Sequence, residues 1–124
     1  MVSNTMKTAR RAAYGGTEDP VARALAMVGH KWSLLIVRDL IPGPRRFTQI
    51  QRSLRADPKV ITARLRELEA AGVLSRTTYA EVPPRVEYAL TEAGRSLEPV
   101  VDALRRWGSR APRRERSGTA SSRR

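Results

Sequence analysis

The segment from Asp57 to Gly72, Asp-Pro-Lys-Val-Ile-Thr-Ala-Arg-Leu-Arg-Glu-Leu-Glu-Ala-Ala-Gly, carries its own start and stop signals and constrains everything around it. Asp57 is suited to accept a backbone N–H of a first helical turn, Pro58 suits the first helical position, and Gly72 suits the left-handed conformation that ends a helix. The spacing predicts one helix of about four turns. Ile61, Leu65, Leu68 and Gly72 gather on an apolar face of that helix, and Lys59, Ala63, Arg66 and Ala70 on the opposite one, with Thr62 at its flank. The apolar face belongs in a core. The opposite face combines small residues with a few long donors, so it can approach a groove without a wall of bulky side chains. Lys and Arg donate to guanine edges or to phosphate, Thr to either, and a small apolar group meets a thymine methyl. An ordinary solvated face with two basic residues has the same composition, so the flanking segments have to decide between the two.

The chain has 124 residues, enough for one modest core. Lys and Arg number 24 against 12 Asp and Glu, a formal charge of +12. Residues 1–19, 20–109 and 110–124 contribute +1, +6 and +5, so the excess is not confined to a tail. A polyanion is the natural partner of such a surface, and nucleic acid suits it better than a membrane, because no basic helix has a broad apolar face left unexplained. No apolar run approaches the ~18 residues of a membrane span. The N-terminus does not read as a signal peptide, which makes the cytoplasm the expected location.

There is no cysteine, hence no disulfide, thiolate nucleophile or thiol sensor. The single histidine, His30, lies in a turn-like Gly29-His30-Lys31 without a second histidine for a metal pair, so neither a metal nor another cofactor is expected. Gly43-Pro44 breaks structure and does not cradle phosphate. Glu67 and Glu69 point to different sides of their helix, Glu67 being spaced to pair with Arg64 or with the neighbourhood of Lys59. No catalytic constellation is apparent.

Along the chain, residues 1–18 read as a flexible arm. Pro20 opens a short helix to about Val28, capped by Asp19 or Thr17, with Val21, Leu25 and Val28 as its buried stripe. Lys31 to Leu40 is apolar nearly all round and belongs in the middle of the fold. Pro42-Gly43-Pro44 stops it, and Arg45-Arg46-Phe47 is too short for more than a bridging strand. A two-turn helix follows, capped by Thr48, with Phe47, Ile50 and Leu54 on one side. Three residues, Arg55 to Asp57, then lead into the opening helix, the arrangement of a helix-turn-helix whose second member enters the major groove.

Beyond Gly72 the period changes to two. Leu74 to Tyr79 and the alternating run Arg85 to Leu90 predict an antiparallel hairpin, with Arg76 falling on the Leu74 face and a stiff tip at Glu81-Val82-Pro83-Pro84. A hairpin there is a wing that brings Arg76 and Arg85 near phosphates or the minor groove. Thr91 caps a last helix with the stripe Ala93, Leu97, Val100, Val101, Leu104 and Trp107 and a bend expected near Arg95 to Pro99. The stripe exceeds what the small core needs, and a second copy of the chain explains it most simply. From Arg110 the composition is that of a disordered basic tail.

The segments Gly29 to Leu40, Gly43-Pro44-Arg45-Arg46-Phe47, Pro58 to Thr62, Arg64 to Glu69, Gly72-Val73-Leu74 and Val82 to Tyr88 together resemble the HxlR-type winged helix-turn-helix family of bacterial transcriptional regulators. The resemblance covers about residues 18–108. It implies a mostly α fold with a small β-hairpin, in which a winged helix-turn-helix domain of residues 19–109 carries an N-terminal helix and a C-terminal dimerisation helix. It further implies a homodimer bound to double-stranded DNA at a roughly palindromic operator. Lys59, Thr62, Ala63, Arg64 and Arg66 are then expected to face DNA, Arg64 at a phosphate, with Arg76, Pro84 and Arg85 in the wing. Val21, Leu25, Leu97, Val101, Leu104 and Trp107 are expected to form the dimer contact. Many members have a cysteine before the proline of the first helix, where this chain has Asp19, and His30 replaces a usual glycine. The competing reading is a winged-helix module that binds RNA or a protein, but Lys59 and Arg66 lie on the very face a groove reader uses.

Overall fold

The computed structural model describes residues 19–113; the arm at 1–18 and the tail from 114 onward lie outside the described residues. The elements are α1 (Pro20–Val28), α2 (Lys31–Leu40), α3 (Phe47–Leu54), α4 (Pro58–Ala70), β1 (Leu74–Tyr79), β2 (Arg85–Leu90), α5 (Glu92–Arg95) and α6 (Glu98–Arg110). Helix α2 is central and packs on α1, α3, α4, α6 and β2. Its Ile36, Val37 and Leu40 meet Ile50 of α3, Ile61, Leu65 and Leu68 of α4, and Leu74 and Leu90 of the hairpin in one core. Each such side chain contributes roughly 1.5–3 kcal/mol on leaving water. Ser33 and Asp39 are buried on the same helix, a polar share that an apolar-all-round reading does not contain.

Helix α4 begins and ends at the positions its sequence dictates. Asp57 Oδ1 accepts the Lys59 N–H at 2.7 Å. At the other end Gly72 has φ +79°, its N–H donates to Glu69 O at 3.0 Å, and the Val73 N–H donates to Leu68 O at 2.9 Å. This pair of reversed bonds closes the helix and turns the chain into β1. Strands β1 and β2 pair from Leu74 opposite Leu90 to Tyr79 opposite Arg85, which places Leu74, Arg76 and Thr78 on one face with Leu90, Tyr88 and Val86. A single bridge from Arg45 to Tyr88, with N–H to O distances of 2.9 and 2.8 Å, adds the short third strand.

Several expectations need correction. Arg46, in place of Thr48, is the N-cap residue of α3, because the bridge at Arg45 keeps the backbone extended through Arg46, whose N–H donates to Gln49 Oε1 at 2.8 Å. Asp19 caps α1 through the Val21 and Ala22 N–H groups, but Val28 alone of the expected stripe is buried, while Val21 and Leu25 are exposed. His30 is more than a turn residue: its Nδ1 accepts the Trp32 N–H at 3.2 Å and caps α2. The bend expected in the last helix is a complete break. Pro99 has no N–H for the Arg95 carbonyl, so the chain turns at Ser96 and Leu97 and α6 starts afresh at Glu98, where a proline in the first turn costs nothing. Arg110, assigned to the tail, completes α6.

The break lets α5 dock on the base of the hairpin. The Thr91 hydroxyl lies 2.6 Å from Gly72 O and 3.0 Å from Val73 O and accepts the Gly94 N–H at 3.1 Å, while the Thr91 N–H donates to Val73 O. Gly94 sits so close to the Val73 backbone that a Cβ there would lie 2.0 Å from Val73 O. Gly94→Ala is therefore expected to destabilise the fold by ~1–3 kcal/mol, the range for forcing extra volume into a packed site, read as a lower urea midpoint at unaltered slope. An unchanged midpoint would show that α5 does not dock as described.

Candidate nucleic-acid interface

On the solvent side of α4, Lys59, Arg66 and Ala70 are exposed and Ala63 is half-buried, in line with the phase of the buried Ile61, Leu65 and Leu68. Thr62 lies on the flank toward the hairpin. With Leu65, Arg66, Glu69, Arg76 and Tyr88 it lines a cleft of about 190 Å³ between helix and wing. Arg76 Nε stands 3.8 Å from Glu69 Oε1 across that cleft, with both side chains about half exposed, so the pair guides the hairpin more than it holds it.

The remaining cations of the site differ in how far they are already neutralised. Arg64 is on the other flank, its side chain only 19% exposed, with Nη2 3.1 Å from Glu67. Its Nε is buried without a hydrogen-bond partner. Among the described residues Lys59 and Arg66 have no ion pair. Their charge on the exposed face of α4 is therefore available to an outside anion.

The wing gives Arg85 carboxylate partners that the sequence did not show. Its Nε and Nη2 donate to Glu81, the latter at 2.7 Å, its Nη1 donates to Glu87 Oε2 at 2.5 Å, and its guanidinium stacks 4.0 Å from the Tyr79 ring centre. The Arg85 hydrogen bond, helped by the charges of Arg85 and Arg46, holds the Glu81 carboxyl below the usual carboxylate range, and the two carboxylates raise Arg85 above the usual guanidinium range. Such a group meets a phosphate only by sharing or giving up these carboxylates. Arg46 was passed over in the sequence, yet the Arg45–Tyr88 bridge delivers it, exposed, beside the Glu81 end of the wing. Its signal was the position directly after a bridging residue, legible only once the bridge partner is known. Pro84 and its neighbours Val82 and Pro83 form the exposed tip.

A second face is apolar. Val21, Leu25, Leu104 and Trp107 are 68, 59, 48 and 65% exposed and Leu97 is half-buried. Val21, Leu25, Leu34, Leu97 and Leu104 line an open groove of about 670 Å³ between α1, α2 and α6. Val101, expected in the dimer contact, is instead 6% exposed and belongs to the protomer core. It points one position round the helix from Leu104, toward α2. Among the described residues no group of three His, Asp or Glu side chains is placed to hold a metal, and no helix is long and apolar enough to cross a membrane.

A helix-turn-helix followed by a hairpin wing, with free cations on the second helix, defines a winged helix-turn-helix protein of the kind that binds DNA. Residues 27–116 match the HxlR-like helix-turn-helix family, and the chain belongs to that family of transcriptional regulators. It is 42% identical over 91 residues to the HTH-type transcriptional regulator sll1512 of Synechocystis, covering 73% of this chain and 67% of the relative. To YdeP of Bacillus subtilis, another HTH-type transcriptional regulator, it is 41% identical over 92 residues, covering 73% and 72%. Its structure is similar to that of the redox regulator HypR in its oxidised form, with TM-score 0.72 and 40% identity over 77% of this chain and 99% of that one. The chain itself has no cysteine through which thiol chemistry would run, and Asp19 serves as a helix cap.

Proposed function

We propose that the chain is a homodimeric, sequence-specific DNA-binding regulator that lays α4 of each protomer in the major groove of a roughly palindromic operator. The observation that carries this reading is the pair Lys59 and Arg66, which stand without an ion pair among the described residues on a helix face otherwise made of alanines, while Arg64, Arg76 and Arg85 beside them are each matched to a carboxylate. Cations left free next to cations that are compensated mark where an anion is to be met. In the groove Arg66 and Lys59 supply donors, Thr62 a hydroxyl at the flank and Ala63 a surface for a thymine methyl. Arg76, Pro84 and Arg46 lie toward the backbone and minor groove, and Arg64 reaches at most a phosphate at the edge.

The dimer contact in this reading is the apolar face of α1 and α6, where Val21, Leu25, Leu97, Leu104 and Trp107 are covered by their counterparts. Two-fold pairing of recognition helices is what turns a short half-site into a specific operator.

Arg66→Ala is expected to cost ~1–3 kcal/mol on a duplex selected by the protein from a random pool, and much less on a scrambled duplex of equal length. Equal losses on both would remove α4 as the sequence reader. Leu25→Asp and Leu104→Asp, both at exposed positions that leave the protomer core intact, are each expected to yield folded monomers in sedimentation at tens of micromolar. Unaltered protein that sediments as a monomer would contradict the dimer.

A further inference from the structure

The wing holds one cation whose surroundings do not suit a phosphate contact. Three of the five N–H groups of Arg85, one on each nitrogen, are engaged within the hairpin, two by Glu81 and one by Glu87, and the Tyr79 ring covers its face at 4.0 Å. Its side chain is 24% exposed. A phosphate oxygen would have to displace one of these two carboxylates to take over the N–H groups they hold. The Glu81 pair connects the chain before the tip to the chain after it, since Glu81 precedes Val82-Pro83-Pro84 and Arg85 follows them in β2, where Glu87 holds the guanidinium from the same strand. What the cluster presents outward is apolar, with Val82 fully exposed and both prolines exposed.

Resting on the DNA-binding reading above, we propose that Arg85 is a positioning residue, which braces the wing on Glu81, Glu87 and Tyr79 so that the apolar tip Val82-Pro83-Pro84 meets the minor groove. Apolar side chains and prolines suit that groove, where readout depends on shape and width more than on a hydrogen-bond code. Lysine cannot replace Arg85 here, since a point charge does not reproduce a fork that engages two carboxylates at once.

The test uses Glu81→Gln, Arg85→Lys and Arg85→Gln in the whole chain, with hydrogen exchange of the free protein and titration of the pool-selected duplex at several salt concentrations. The brace predicts faster exchange at hairpin amides in all three variants, with the core amides unaltered. It also predicts that each weakens the selected duplex several-fold, Arg85→Lys as much as Glu81→Gln, and that Arg85→Gln leaves the salt slope unaltered. Tighter binding by Glu81→Gln would show that Glu81 competes with phosphate for Arg85. A salt slope lowered by about one in Arg85→Gln would show a direct phosphate contact. Either result overturns the proposal, as does unaltered binding in Glu81→Gln. Failure of the unaltered protein to select any duplex would instead sink the DNA-binding reading; the exchange measurement still decides the brace, which unaltered hairpin exchange would overturn.

Discussion

The carbonyls of Gly72 and Val73 are the point on which the rest of the structure depends. Gly72, at φ +79°, reverses the chain at the end of α4, and the two bonds back to Leu68 and Glu69 fix the angle at which β1 leaves. Thr91, 19 residues after Gly72, returns the chain to the same two carbonyls, and Gly94 is small enough to let α5 close over them. The helix that faces outward and the hairpin beside it are thereby one unit. A residue with a side chain at position 72 would be strained in this conformation, and loss of the Thr91 hydroxyl would leave the N–H of the buried Gly94 without its acceptor.

That unit separates its charges in a way that bears on function. Carboxylates on the unit match Arg64, Arg76 and Arg85, and each pair lies within α4, within the wing or between the two. Exposed pairs of this type add little to stability, but they lower the positive field of the flanks. What remains is concentrated on Lys59 and Arg66, on the face that also carries the smallest side chains.

The sequence was most informative where local chemistry decides structure. Asp57, Pro58 and Gly72 set the bounds of α4 within two residues, and the change of period after Gly72 located both strands because alternation is a property of the strand itself. The phase of α4 identified Lys59 and Arg66, since burial of Ile61, Leu65 and Leu68 leaves only one face to solvent. Where tertiary contacts decide, it was less informative. The partners of Arg85 meet only after the hairpin folds, Arg46 reaches the wing through a bridge to Tyr88, and Val101 is buried because α6, freed by the break before Glu98, presents it to α2. The stripe of α1 carries the same ambiguity, because an apolar face reads alike whether its own protomer or a second one covers it.

In the proposed dimer, two copies of α4 read two half-sites related by the dimer axis. Hydroxyl-radical footprinting on the pool-selected duplex tests it most directly. Two symmetry-related protected patches are expected one helical turn apart, roughly 34–36 Å, or a multiple of that spacing, with minor-groove protection where the wings lie. A single unsymmetrical patch, or uniform protection of the duplex, would contradict it.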